Sequence, residues 1–371
     1  LTGKALTDTT NENGDDWTPE ISGIYAQTFA DGKFGVAVTG SYSERDSGFT
    51  RAGTPGGWYT IEGGAEDWGS VPPDSDTFVN PPQEGDVYSV PRNILYSFTQ
   101  QQRERTNAQL TLQWAPTENL TGTLDYTYSE LDIEQQNQDM GSWFNGNPVS
   151  GEFTPGTSGG SVVAPVIYSD NTEADITFGA GDFGRKQENN SLGLNLEWWA
   201  TDRLRLTFDY HDSESEVGAK DNRGSHNIIS GVQFNRNLTT VDYSRDLPVA
   251  YYGYIDGSGF GEGMDPAQML TSGTSFRNSY MKHEIEQARF DGTFQFDDSI
   301  VSSIDFGLSM TESVNRSAYS VAERPEWGGY GDPSQYDDDL FQRRRLPPRF
   351  DQLSGSNSPD LEPYYYESSF H

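Results

Sequence analysis

Cysteine is absent from the 371-residue sequence. A chain without thiols has no disulfide framework, no thiolate metal site and no cysteine nucleophile. Positive charge is also scarce, because 24 Lys and Arg stand against 57 Asp and Glu and leave a net charge of −33. A chain this acidic cannot neutralise a phosphate backbone over an extended footprint, so we expect no nucleic-acid partner.

Long hydrophobic runs are missing too. Hydrophobic residues make up 33% of the chain, and no stretch of about 18 apolar residues occurs, which excludes a helical membrane protein. Aromatic residues, by contrast, reach 13%, which is too many for a disordered acidic chain. Together with the 40 glycines, this composition indicates many strands, many turns and large polar loops.

Strict alternation of apolar and polar residues recurs along the chain, and helical periodicity is nearly absent. The segments 120–128, 191–198, 204–211 and 304–310 each place apolar side chains on one face and polar side chains on the other. A period of two residues is that of a half-buried strand. The sequence therefore predicts an all-β protein built from amphipathic strands.

Short turns join these strands in pairs. We predict turns at residues 30–33, 115–119, 200–202 and 297–299. Long polar segments separate the pairs, at about residues 47–92, 135–187, 217–281 and 317–371. A compact domain rarely needs loops of such length, whereas short turns at one end and long loops at the other are typical of an outer-membrane barrel.

The apolar faces have the length and the edges that a bilayer requires. Each runs for about nine residues, close to the 9–11 of a tilted membrane-spanning strand. Aromatic residues mark both edges of the faces, as in the two aromatic girdles of a barrel. They are Phe34, Trp114, Trp198 and Phe296 on the turn side and Tyr42, Tyr128 and Tyr210 on the loop side. Beyond this band the strands are expected to continue into solvent.

These patterns predict an all-β transmembrane antiparallel β-barrel, with a wall of about eight strands, short periplasmic turns and long extracellular loops. The expected location is the outer membrane of a Gram-negative bacterium. The predicted lipid-facing residues are Leu110, Leu112, Leu124, Leu194, Leu206, Phe208, Phe306 and Leu308. The alternative is a large soluble β-sandwich, which explains neither the unequal loops nor the two aromatic edges.

Several segments resemble a known family. They read DWTPEISG at 16–23, TFADGKFGV at 28–36, SYSERDS at 41–47, LTLQWAP at 110–116 and MGSWFN at 140–145. These are similar to the early barrel of TonB-dependent outer-membrane receptors of the Xanthomonas–Caulobacter type. The resemblance covers about residues 16–145 at the level of motifs and is architectural beyond 200.

The resemblance implies a receptor with an N-terminal plug domain inside a barrel of ~22 strands, energised by the TonB complex through the plug. We recognise no plug, no TonB box and no C-terminal barrel signal in this sequence. Residues 1–371 are therefore expected to be part of one receptor barrel domain, without the plug and the C-terminal part of the barrel. The alternatives are a passive porin-like or structural barrel, complete with eight strands, and a secreted adhesin.

Aromatic residues of the predicted extracellular loops are the candidate ligand-binding residues. They are Trp58, Tyr59, Trp68, Trp143, Phe144, Trp327 and Tyr330. Such rings can stack on sugars or on a chelate, or they can simply pack the loops together. We expect an oligosaccharide rather than a ferric chelate, because the net charge of −33 repels anionic siderophores and the loop amides and carboxylates suit sugar hydroxyls.

No pattern in the chain predicts catalysis. The four histidines, His211, His226, His283 and His371, lack metal-ligand spacing. The acidic runs at 74–76 and 337–339 lack the full pattern of a calcium loop. We therefore predict no enzyme activity, no cofactor and no metal site, and expect outer-membrane lipid, the TonB complex and a small-molecule or oligosaccharide ligand as partners.

Overall fold

The computed structural model describes residues 1–156, 161–255, 265–297, 300–324, 329–352 and 355–368, and strands dominate them. Eight strands that succeed one another in the main sheet are β2 (Thr18–Phe29), β3 (Phe34–Gly53), β7 (Asn93–Thr117), β8 (Leu120–Trp143), β12 (Ala174–Thr201), β13 (Leu204–Ala219), β16 (Leu270–Gln295) and β17 (Ser303–Arg324).

The other strands are β1 (Thr2–Leu6), β4 (Trp58–Glu62), β5 (Phe78–Val79), β6 (Val87–Pro91), β9 (Pro148–Phe153), β10 (Val162–Val163), β11 (Pro165–Asp170), β14 (His226–Asp242), β15 (Val249–Tyr254), β18 (Phe341–Arg345) and β19 (Tyr364–Ser368). Short 3-10 helices cover Pro266–Gln268, Pro333–Gln335, Asp338–Leu340, Pro347–Phe350 and Ser358–Asp360. No helix in the described ranges has the length and apolar character to cross a membrane.

The main sheet is antiparallel across β2, β3, β7, β8, β12, β13, β16 and β17, in that order. β1 extends it at one edge by pairing with β2. Beyond the end of β13, β14 occupies the place between β12 and β16. The predicted all-β architecture with a largely antiparallel sheet is thus confirmed, although β5 pairs with β9 and β10 with β6 in parallel. Among the described residues, β1 and β17 lie at two edges of this sheet, and a branch continues from β14 through β11 and β9 to β5, with β15 paired to β14.

The first three predicted turns lie where the sequence placed them. Between β2 and β3, the Lys33 amide donates to the Ala30 carbonyl at 3.2 Å, and Ala30, Asp31 and Gly32 have φ of 53°, 56° and 85°. Strand pairing ends at Phe29 and Phe34, so the loop has four residues, and positive φ values of this kind are typical of tight hairpin turns. β7 and β12 continue to Thr117 and Thr201, so the next two connections are tighter than predicted. In the fourth turn, residues 298–299 lie outside the described residues.

The segments predicted as long loops contain much more strand than expected. β12 begins at Ala174 and is 28 residues long, and β8 continues to Trp143, where the Gln135 side chain accepts from the Gln101 side chain of β7 at 3.3 Å. Apolar alternation stops where both faces of a strand become polar, although the backbone ladder continues. This is why the sequence pattern placed residues 135–143 and 174–187 in a loop.

The hydrophobic core is formed by these same loop-side segments. Tyr96 and Phe98 of β7 are 0% and 5% exposed. The Phe350 ring packs edge-on against both, with centroids 6.0 and 5.7 Å away. The Tyr96 hydroxyl donates to the Pro248 carbonyl at 2.8 Å. The expectation that the strand extensions project into solvent is therefore wrong for β7, whose loop-side end is buried, whereas the loop-side half of β17 is exposed as expected.

Candidate functional site

The strand registers align apolar side chains across the sheet. One row crosses from β3 to β17 through Val36, Leu112, Leu124, Leu194, Tyr210, Ala288 and Met310. The next row towards the turns passes through Phe34, Trp114, Gly122, Leu196, Phe208, Phe290 and Leu308. Leu110, Leu206 and Phe306 lie on the same face, two residues from members of these rows. We call these residues the apolar band.

The opposite face of the same strands is polar. Directly behind the apolar band, one row consists of Gln113, Thr123, Asn195, Asp209, Arg289 and Ser309. Within this row, the Asn195 amide donates to the Asp209 carboxylate at 2.6 Å. Several side chains of the apolar band are exposed; Leu308 is 70% and Leu124 is 38% exposed. The sheet therefore presents one apolar and one polar face across seven strands.

Aromatic side chains lie at both edges of the apolar band. On the turn side, Phe34, Trp114 and Trp198 are 49%, 44% and 46% exposed. On the loop side, the Tyr42 and Tyr210 hydroxyls donate to the carboxylates of Glu44 at 3.3 Å and Glu286 at 3.0 Å. The Tyr128 hydroxyl donates to the Glu130 carboxylate in the same way. The polar tips of the tyrosines thus have partners just beyond the band.

Four of the seven predicted ligand-binding residues meet in one cleft. Tyr59, Trp68, Trp143 and Phe144 line a cavity of about 300 Å³ together with Arg92. We call this the aromatic cleft. The Tyr59 and Trp68 rings meet edge-to-face, with centroids 5.4 Å apart and an interplanar angle of 76°.

The backbone around the aromatic cleft is held by hydrogen bonds at the loop-side ends of β7 and β8. Tyr59 of β4 pairs with Val90 of β6. Arg92, between β6 and β7, donates its amide to the Gly57 carbonyl at 3.1 Å, and its carbonyl accepts from the Phe144 amide at 2.9 Å. Strand pairing therefore brings together residues that are up to 85 positions apart in the chain, from Tyr59 to Phe144.

Both indole rings of the cleft rest on glycines. A Cβ atom at Gly56 would lie 2.9 Å from the Trp143 ring, and one at Gly146 would lie 2.7 Å from the Trp68 ring. Gly146 also has a φ of +77°, a conformation that side chains disfavour. These close approaches fix the positions of the two rings.

Asp67 and Arg92, the charged residues beside the cleft, make different contacts with it. The Tyr59 hydroxyl donates to the Asp67 carboxylate at 2.9 Å, and the Trp68 amide donates to its other oxygen at 2.7 Å. The hydrogen bond to Asp67 raises the pKa of Tyr59. The Arg92 guanidinium carbon lies 5.7 Å from the centroid of the Tyr59 ring, within the range of a cation–π interaction.

Comparison of the chain with known proteins identifies no relative. Searches against protein-family models, curated proteins and solved structures found no match. The resemblance to TonB-dependent receptors therefore rests on the sequence segments alone.

The other three predicted ligand-binding residues lie away from the aromatic cleft or outside the residues that the structure describes. Trp58 follows the alternation of β4 to the other side, where its ring lies 5.3 Å from that of Tyr243. The Arg324 guanidinium carbon lies over the Tyr330 ring, 3.2 Å from the ring centroid. The backbone amide of Tyr330 donates to the Thr271 carbonyl at 3.0 Å. Trp327 lies outside the described residues.

Arg92 is the cleft residue that the sequence reasoning missed. Arg92 ends the segment 47–92 that the sequence predicts as a loop, and a single arginine in such a loop indicates no site until the fold places it in the cleft. Among the described residues no group of three or more His, Asp or Glu side chains is placed to hold a metal ion.

Proposed function

We propose that the chain is part of the wall of a transmembrane β-barrel in the outer membrane of a Gram-negative bacterium. The observation that carries this proposal is the apolar band, which stays in register across seven neighbouring strands and has a polar face behind it. A contiguous exposed apolar surface of this extent is unfavourable in water. Lipid outside and a polar lumen inside would satisfy both faces.

The dimensions of the strands support the same proposal. The apolar stretches match the ~9–11 residues that a tilted strand needs to cross the hydrocarbon core. Aromatic residues bound them on both sides, and the tight turns between β2 and β3, β7 and β8, and β12 and β13 all lie on one side. In a barrel of the kind that the sequence resembles, with ~22 strands, these strands would form one part of the circumference.

The proposed activity is TonB-energised uptake of a nutrient ligand, with an oligosaccharide favoured over a ferric chelate. The short turns would face the periplasm, so the aromatic cleft at the opposite end would face the outside. Rings that remain partly exposed, such as Trp143 at 47%, suit the apolar faces of sugars. The TonB complex would act through a plug domain, as the resemblance implies.

Two adjacent positions test the membrane topology. Leu124 and Thr123 lie on opposite faces of β8, and the chain has no cysteine, so each single cysteine variant carries a unique thiol. Leu124→Cys should react with a lipid-phase probe and Thr123→Cys with an aqueous probe, in the full chain inserted in membranes. Equal aqueous labelling of both thiols would contradict the barrel.

A second experiment separates the receptor from the passive porin-like barrel. Ligand uptake is measured in cells that make the complete receptor, with and without functional TonB. Uptake that requires TonB supports the receptor, whereas undiminished uptake without TonB supports a passive pore. If a ferric chelate were bound and taken up while oligosaccharides were not, the preference for carbohydrate would be wrong.

A further inference from the structure

The aromatic cleft combines flat apolar walls with a positive charge. Phe144 forms a buried floor, 4% exposed, and packs edge-on against Tyr168 with centroids 5.2 Å apart. Trp143, at 47% exposed, leaves much of its ring available. The volume of about 300 Å³ is at the lower end of the range for ligand pockets, ~300–1,000 Å³, and suits one or two sugar rings.

Arg92 is the charged group of this cleft that has no anionic partner within the described ranges. Its side chain is exposed, and its guanidinium is placed over the Tyr59 ring. The nearby Asp67 carboxylate already accepts from the Tyr59 hydroxyl and the Trp68 amide. Because the Arg92 backbone is fixed by the Gly57 carbonyl and the Phe144 amide, its side chain projects from a rigid base.

We propose that the aromatic cleft selects a sugar ring that carries a carboxylate, as in an oligosaccharide with uronic acid residues. This inference rests on the proposed receptor function and narrows its ligand class. The aromatic walls would pack against the C–H face of the ring. The planar guanidinium of Arg92 would form two parallel hydrogen bonds with the carboxylate, a geometry that lysine cannot reproduce.

The net charge of −33 does not oppose this assignment at contact distance. At physiological ionic strength, charges farther away than the Debye length of about 8 Å are largely screened. At the cleft, a ligand carboxylate meets the Arg92 guanidinium, and the nearby Asp67 carboxylate is engaged by the Tyr59 hydroxyl and the Trp68 amide. The rest of the acidic surface slows the approach of a polyanion and favours a short oligosaccharide.

The test measures ligand binding to the full chain in detergent micelles. Binding is followed by intrinsic tryptophan fluorescence and by calorimetry. Three probes are compared: a uronic acid trisaccharide, the neutral trisaccharide of the same linkage, and a ferric tricarboxylate chelate. The uronic acid trisaccharide should bind about tenfold or more tightly than the neutral one, as a charge-assisted hydrogen bond predicts. Arg92→Gln should remove this preference, so that the uronic acid and the neutral trisaccharide bind with similar affinity.

Matched variants make the outcome specific. Arg92→Lys should keep part of the preference, Trp143→Ala should weaken both saccharides, and Arg45→Gln, at an exposed arginine of β3 outside the cleft, should change neither. A preference that survives Arg92→Gln, or equal binding of the two saccharides, would overturn the inference while leaving a carbohydrate receptor in place. Binding of the ferric chelate alone would overturn the carbohydrate ligand itself, and binding of no probe would overturn the inference.

Discussion

The Arg236 guanidinium donates a hydrogen bond to the backbone carbonyl of Trp143 at 2.5 Å. Arg236 is fully buried, at 0% exposed, and also donates to the Asp175 carbonyl at 2.6 Å and to the Thr239 hydroxyl at 2.7 Å. One side chain of β14 thus joins the ends of β8 and β12 directly behind the aromatic cleft. Because its partners are neutral oxygens, its replacement leaves several buried acceptors without donors.

Arg236→Met should therefore destabilise the loop-side core strongly. We expect the free energy of unfolding to fall by about 3 kcal/mol, because the buried hydrogen-bond network loses its charged donor, the guanidinium. Urea unfolding in detergent micelles, followed by tryptophan fluorescence, measures the loss. Arg245→Met is the matched control, since Arg245 is half-exposed and its ion pairs with Asp242 and Asp360 are 3.7 and 3.8 Å long. An equal effect of both substitutions would contradict the role assigned to Arg236.

Gly146→Ala should disturb the aromatic cleft more than the same substitution at Gly85. Both glycines have positive φ, +77° and +81°, but a Cβ at Gly146 would lie 2.7 Å from the Trp68 ring, whereas at Gly85 nothing lies within 4 Å. Each variant bears the left-handed strain of about 1–2 kcal/mol. Only Gly146→Ala should shift the tryptophan emission and weaken saccharide binding. Identical spectra for the two variants would show that the contact with Trp68 is unimportant.

An arginine in the apolar band should impair membrane insertion, and an arginine behind it should not. Leu194 and Asn195 are adjacent in β12 and lie on opposite faces. In the proposed barrel, Leu194→Arg should cost about 2–4 kcal/mol near the bilayer midplane, whereas Asn195→Arg on the proposed lumen face should be nearly neutral. Folding of the chain from urea into lipid vesicles measures both values. The barrel proposal fails if the two variants insert equally well.

Glu362 should make the loop-side core less stable as the pH rises. Burial raises the pKa of Glu362 from 4.5 to about 7, although the carboxylate accepts a hydrogen bond from the Tyr252 backbone. The folded state therefore keeps a proton that the unfolded chain has already released. The resulting stabilisation is complete below pH 4.5 and is lost as the pH rises towards 7.

Glu362→Gln isolates this effect because the amide stays neutral at every pH. Relative to this variant, the parent chain should lose about 1 kcal/mol of stability between pH 4.5 and pH 8, after allowance for the partial exposure of the side chain. Thermal unfolding of both proteins at the two pH values checks the difference. Parallel pH profiles would exclude Glu362 as its source.

The sequence by itself determined which residues share a face. In β12, Leu192 to Trp198 alternate with Ser191 to Glu197, and because side chains in a strand point alternately to opposite faces, the apolar and polar faces follow from the order of residues alone. The hairpin at residues 30–33 was equally local, since Asp31 and Gly32 can adopt the positive φ that the turn needs. Both features depend on neighbours within a few positions.

Only the tertiary structure decided which of the loop aromatics form a site. Tyr59 and Phe144 meet because β4 pairs with β6 and the chain after β6 is hydrogen-bonded to the end of β8, whereas Trp58, one position away, lies against Tyr243. Contacts between distant segments depend on strand register and on what the loops bury, and no local pattern encodes either. For the same reason, the place of Arg92 in the cleft became visible only once the strands around it were paired.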